Sequence, residues 1–263
     1  MGLGCNAAGV TGCRIIDSPR ERMIAILTNV LMPCNGRLPL ILFALGCLGM
    51  SGFASVLGVA AVFLLAVGMT CAASAILSKT VLRGEPSSFT LELPPYRIPL
   101  VGQTLVRSLL DRTVFVLGRA VTAAAPCGLF LWLAERIPVG EGNLTAFLQG
   151  IFDPIGRFAG MDGRLIAAFL FALPANELML PLALAGADGT ASAAEVFALR
   201  GWGAETIVCM TLFMMFHYPC ATTLMTIHKE TGSRGWTLFA AVFPTVIGYG
   251  LCVLVHHAGM VFG

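Results

Sequence analysis

The stretch FASVLGVAAVFLLAVGMTCAASAIL, Phe53 to Leu77, carries no charge over twenty-five residues. About twenty apolar residues suffice to cross a bilayer as a helix, so this run fixes the solvent in which the chain folds. Two further runs are similar: Thr113 to Ala134, which holds Arg119 and Pro126, and Trp236 to Val255. Only 11% of the residues are charged and 57% are hydrophobic, against about 25% charged in a soluble domain. Backbone groups in lipid must be satisfied within a helix or a closed barrel. The glycine and proline rhythm lacks the alternation of barrel strands. An all-α polytopic integral membrane protein with the lipid bilayer as its partner is expected.

Three more apolar segments interrupt themselves. Met23 to Gly49 breaks at Pro33-Cys34-Asn35-Gly36, Leu165 to Ala185 at PANELMLP (Pro174 to Pro181), and Thr206 to Ile227 at HYPC (His217 to Cys220). About five spans plus broken or re-entrant elements follow. The connection from Lys79 to Arg112 is rich in Lys and Arg, which places it on the cytoplasmic side. Arg14, Arg20 and Arg22 place the N-terminal flank there too, and Lys229 with Arg234 place the HKETGSRG turn there. That arrangement requires Leu165–Ala185 to enter and leave on one side, which its two prolines allow.

Aligning the breaks on Pro33-Cys34 and Pro219-Cys220 shows about ten apolar residues before each. The basic flank lies before the first and after the second. The two segments then run in opposite directions, and each has a polar break upstream, at Cys5-Asn6 and at Asn176-Glu177. Paired broken helices in opposite directions are the mark of an inverted-repeat transporter, whose unwound backbone lines a site at the membrane midplane.

The polar residues at these breaks define the candidate site: Cys5, Cys34, Glu177 and Cys220 as metal ligands, with Asn6, Asn35, Asn176 and His217 lining the path. Thiolate, imidazole and carboxylate suit Fe2+, Zn2+ or Co2+ rather than Mg2+ or a sugar. An ionisable group inside a span is costly unless it is paired or functional, so Glu177 is expected to face the protein interior. Plainer roles exist for each. Glu177 can pair with Arg119, His217 can serve as a packing histidine, and the asparagines can satisfy freed backbone groups. The nine cysteines include no zinc-finger or disulfide pattern; most read as small buried hydrophobes. Net charge is +2, which gives no field for nucleic acid. The aspartates fall in or beside connections, so an intramembrane aspartyl protease is disfavoured and no enzymatic activity is expected. A transporter of nucleosides or other small organic solutes is the alternative. It would need several amide and hydroxyl groups with an aromatic platform at the breaks, which here are led by cysteine.

Several stretches resemble the membrane domain of the ferrous iron transporter B (FeoB) family, in its C-terminal half. GCN at Gly4-Cys5-Asn6 is similar to the start of a gate segment in that family. ERMIAILTNVLMPCNGRLPLIL resembles its stretch ending in Cys-x-x-Arg-Leu-Pro. LELPPYRIP, Leu91 to Pro99, is the most specific motif, and YPCATTLMTIHKETGSRGWTLFAAVF resembles the last gate segment with its return helix. Ala8 stands where the family has proline, and Asn176 where it has the lysine of a Lys-Glu pair. The resemblance implies Fe2+ as the transported ion, no tightly bound cofactor, and a multi-pass location in the cytoplasmic (inner) membrane. It casts residues 1–263 as a single gate domain of a larger or split transporter. No GxxxxGK[ST] occurs, so any GTPase activity would reside on a partner chain or a missing domain. Such a partner would meet the surface around LELPPYRIP and the amphipathic stretch after it; a homo-oligomer is the other expected assembly. The N-terminus has neither a signal peptide nor a myristoylation pattern and starts abruptly, as if within something longer.

Overall fold

In a computed structural model of the chain, residues 2–50, 52–84, 101–107, 136–139, 142–184 and 193–262 are described, with scattered positions between 110 and 133. The expected span Thr113–Ala134 and the motif Leu91–Pro99 lie mostly or wholly outside these residues. The described chain is helical apart from one antiparallel pair of two-residue strands, β1 (Pro138–Val139) and β2 (Gly142–Asn143).

The chain begins with α1 (Asn6–Gly12), a 3-10 turn at Cys13–Ile15, and α2 (Pro19–Asn29). Ser18-Pro19-Arg20-Glu21 starts α2. The Ser18 hydroxyl accepts the Glu21 N–H, proline occupies the first turn, and Glu21 complements the helix dipole. Then come α3 (Leu38–Cys47), α4 (Phe53–Lys79), α5 (Val101–Arg107), α6 (Leu144–Phe158), α7 (Gly163–Phe171), a 3-10 turn at Asn176–Leu178 and α8 (Met179–Leu184). The chain closes with α9 (Ala193–Leu199), α10 (Ala204–Phe216), α11 (Ala221–Thr231) and α12 (Arg234–Phe262).

Among the described residues three stretches are long and apolar enough to cross a membrane: Phe53–Lys79, Arg234–Met260, and Ala204–Thr231 taken across its break. Two of the segments expected to break do so. Met23–Gly49 divides into α2 and α3 around Pro33-Cys34-Asn35-Gly36. Leu165–Ala185 divides into α7, a 3-10 turn and α8. Proline removes a backbone donor and clashes with the preceding turn, so neither segment continues as one helix.

Ion pairs and hydrogen bonds fix the ends of the bundle. Arg14 donates to both carboxylate oxygens of Glu230. Arg20 donates to the carbonyls of Leu82 and Ser78. The turn before α2, the end of α4 and the end of α11 therefore share one end, which also carries Lys79, Lys229 and Arg234. At the far end, Glu205 at the start of α10 bonds His256 near the end of α12. There Asp162, before α7, accepts the Trp202 Nε1–H at 2.8 Å, and Arg200 donates to the carbonyl of Ala183 near the end of α8. Both ends of the α7–α8 segment thus lie at the far end, and the segment is re-entrant. The α1–α2 pair is its counterpart at the basic end.

One order of elements occurs twice. A short helix leaves a break (α1, α8), a second returns toward the centre (α2, α10), a third leaves the next break (α3, α11), and a long helix crosses back (α4, α12). The two sets run in opposite directions. Buried side chains form two clusters, one around Leu165, Phe169, Met210 and Met214, the other around Ile26, Leu31, Ile41 and Phe216.

Candidate functional site

The four breaks meet. The Asn35 N–H donates to Gly4 O at 3.1 Å, joining the second break to the first, and the Ala221 N–H donates to Leu173 O at 2.8 Å, joining the fourth to the third. Asn176 Nδ2 lies 3.9 Å from Cys34 Sγ. The Glu177 carboxylate lies over Gly36, where an added Cβ would come within 2.3 Å of Oε1. α2 and α11 each have 11 residues, about 16 Å from the basic end. That is close to half of a hydrocarbon core about 30 Å thick.

Arg37 holds the second break to the fourth. Its side chain is fully buried. Nη1 donates to Met215 O at 2.7 Å, and Nη2 to His217 O at 3.0 Å and Tyr218 O at 3.1 Å. These carbonyls close α10, where backbone acceptors lack partners within the helix and the dipole favours a cation. Its own N–H donates to Cys34 O at 3.0 Å. Cys34, Cys220, Tyr218 and His217 lie around the guanidinium.

The expected site residues fall as follows. Cys34 and Cys220 are half-buried and both neighbour Arg37; Cys220 Sγ is 3.3 Å from Thr223 Oγ1. Cys5 is exposed at the start of α1. Glu177 is exposed rather than interior, because its side chain leans across side-chain-less Gly36 instead of into the core. Asn35 is exposed, and it is its backbone that bonds. His217 is buried, with Nδ1 2.8 Å from Met214 O and its ring against Phe169 and Tyr218. Its geometry is that of a packing histidine. Asn6 and Asn176 are buried, and their side-chain oxygens have no partner among the described residues. An unsatisfied buried acceptor costs about 1–3 kcal/mol, so each is an oxygen free to meet a cation or a water. Among the described residues, no three His, Cys, Asp or Glu side chains already stand close enough to hold one ion. The junction gathers soft and hard donors without closing a cage.

Two contributors were not singled out from the sequence. Arg37 follows Cys34 by three residues, one helical turn, and that spacing was the available signal. Asn29 donates to Asn6 O at 2.9 Å and closes the α1–α2 pair against Gly9, where a Cβ would come within 2.5 Å of Asn29 Oδ1. No local pattern marks it.

Residues 59–111 match the family described as ferrous iron transport protein B C terminus. The protein named Fe(2+) transporter FeoB of Staphylococcus aureus strain MSSA476 is 28% identical over the whole chain, which covers 40% of that relative. The protein of that name in Methanocaldococcus jannaschii is 25% identical over 98% of the chain and 40% of its own length. A Porphyromonas gingivalis protein named as a fusion of Fe(2+) transport protein A with Fe(2+) transporter FeoB is 22% identical and is covered to 37%. The chain therefore spans about two fifths of the length of the curated relatives it matches. No solved structure matches. The chain is thus similar over its whole length to proteins named Fe(2+) transporter FeoB, and residues 59–111 are similar to the C terminus of that family.

Proposed function

We propose that the chain forms part of the pathway by which ferrous iron crosses the cytoplasmic membrane, and that the ion passes through the junction of the four breaks. The observation that carries this reading is the meeting of Cys34, Asn176 and Glu177 at the breaks, with Cys220 beside Arg37, since unwound backbone within a membrane is tolerated only if it lines a cavity or is packed in protein. The names of the relatives support iron as the cargo. The end carrying Arg14, Arg20, Lys79 and Lys229 is the cytoplasmic one under the positive-inside rule.

At the junction the ion exchanges water for thiolate sulfur and amide oxygen, with Glu177 supplying a countercharge. A transport site must bind well enough to admit an ion and weakly enough to release it. The fixed positive charge of Arg37 works against prolonged occupancy. The role is transport rather than catalysis, and nucleotide hydrolysis belongs to a GTPase on another chain or in a region this sequence does not contain. The fused relative supports assembly with a partner of the Fe(2+) transport protein A type.

The test is 55Fe2+ uptake, under reducing conditions, by cells expressing the complete transport system. A Cys34→Ser, Cys220→Ser double variant is expected to lose uptake while inserting normally. Full uptake by that variant refutes the shared pathway. Uptake of a labelled nucleoside in place of iron would favour the organic-solute alternative.

A further inference from the structure

A second group of soft ligands lies at the far end of the bundle, away from the junction. Glu205 and Cys209 stand four residues apart on α10, and Cys252 and His256 four apart on α12. Residues four apart share a helix face, and here the two faces meet. Cys252 Sγ donates to Cys209 O at 3.1 Å, and Cys209 Sγ lies 3.8 Å from Cys252 O. Glu205 and His256 bond each other one turn farther out.

All of this packs on Gly160, which follows α6 with φ +71°. A Cβ there would lie 3.1 Å from Cys209 Sγ, 3.2 Å from His256 Nδ1 and 3.3 Å from Glu205 Oε1. Cys209, His256 and Glu205 thus pack on one glycine with no side chain between them and its backbone, although they do not stand in the arrangement of an ion cage. Gly259 gives the Glu205 carboxylate room on its other side, with Oε2 3.9 Å from an added Cβ. A cavity of about 420 Å³ opens above, with Asp162, Arg200 and Trp202 among its walls. The cavity's arginines are engaged elsewhere: Arg157 pairs with Asp153 at 2.6 Å, and Arg200 bonds Ala183 O and lies over the Trp202 ring. Exposure falls from 45% at the Glu205 side chain to 22% at His256, and to zero at Cys209 and Cys252.

We propose that Glu205, His256, Cys209 and Cys252 form a binding site for a borderline divalent cation at the far end of the α10–α12 pair. The site is graded from a water-facing carboxylate and imidazole to two buried sulfurs. In the structure Glu205 and His256 are bonded to each other, so the site is closed. A cation takes the place of that bond, then gains sulfur as the thiols release their protons to solvent. The donor set suits Fe2+, Zn2+ and Co2+ over Mg2+ and Ca2+. Placing this site on the iron pathway, as an outer waiting position one helix length from the junction, rests on the transport reading. Its capacity to bind does not.

The test uses the full chain carrying Cys5→Ser, Cys34→Ser and Cys220→Ser, purified in detergent, reduced and kept anaerobic, and titrated with Co2+. One equivalent should bind with a sulfur-to-cobalt charge-transfer absorption, and Cys209→Ser or Cys252→Ser should remove that absorption. Both cysteines are core residues, so Glu205→Gln and His256→Gln, at the exposed end, provide a second pair that leaves the core intact. Each should weaken Co2+ binding about tenfold or more, the scale seen when ligand surroundings are altered. Lack of the absorption in the parent protein, or its persistence through both serine variants, overturns the proposal. So does unchanged affinity in both glutamine variants. Failure of the uptake test with Co2+ still bound here would sink the transport reading alone.

Discussion

A guanidinium shut away from water normally faces a carboxylate. Arg37 faces carbonyls instead, three of them at the end of one helix, and it has no ion pair among the described residues. Hydrogen bonds to a charged group are worth about 1.5–3 kcal/mol each, so Arg37→Gln should lower stability by roughly 3–5 kcal/mol, the range for breaking a buried charged contact. Thermal unfolding in detergent would measure it. Arg37→Lys should recover only part of the loss, because an ammonium cannot fork between carbonyls as the planar guanidinium does. Glu177 gives a contrasting expectation. It is exposed and makes no contact that holds the fold, so Glu177→Ala should abolish iron uptake with insertion and melting temperature unchanged. Persistent uptake would take Glu177 out of the ion pathway.

At the scale of elements, close approach is set by glycine. α6 and α7 meet where a Cβ on Gly163 would lie 2.0 Å from Gln149 O and 2.6 Å from the Asp153 backbone nitrogen. Backbone cannot give way as a flexible side chain can, so Gly163→Ala should force the pair apart and cost on the order of 2–4 kcal/mol. A chemical-denaturation midpoint would show it. Gly36→Ala acts differently: its methyl meets only the end of Glu177, so it should displace that carboxylate and impair uptake while leaving stability nearly intact. These approaches explain what the sequence did and did not disclose. The breaks were legible because proline, cysteine, asparagine and glycine side by side cannot continue a helix in lipid. Opposite directions were legible from the arginines and lysines. Which break touches which was not, because the bonds from Asn35 to Gly4 and from Ala221 to Leu173 run between backbone groups that carry no sequence signal. Arg37 was visible only as part of the Cys-x-x-Arg-Leu-Pro motif and without a role, because its partners are carbonyls about 180 residues away, and any residue type can supply a carbonyl.

For the molecule as a whole, the two opposed sets of elements leave one end basic and the other mixed in charge. A cysteine introduced at Gly201, in a background lacking the exposed Cys5 and Cys71, should react with a membrane-impermeant maleimide added outside intact cells. One introduced at Ser233 should react only after permeabilisation. The reverse pattern would invert the orientation and with it the side from which iron arrives.

The equal lengths of α2 and α11 have an electrical meaning. Eleven residues of helix on the basic side match about half the membrane's thickness, and an ion resting at that depth has fallen through roughly half of the transmembrane voltage. One charge crossing 100 mV exchanges about 2.3 kcal/mol. A divalent ion stopping halfway exchanges about the same, which corresponds to roughly a fiftyfold change in occupancy. On the proposed pathway, with the cell interior negative, the resting potential would draw Fe2+ toward the junction. Half-saturation of uptake should therefore shift to higher iron as the membrane is depolarised, a dependence measurable in vesicles clamped with potassium and valinomycin.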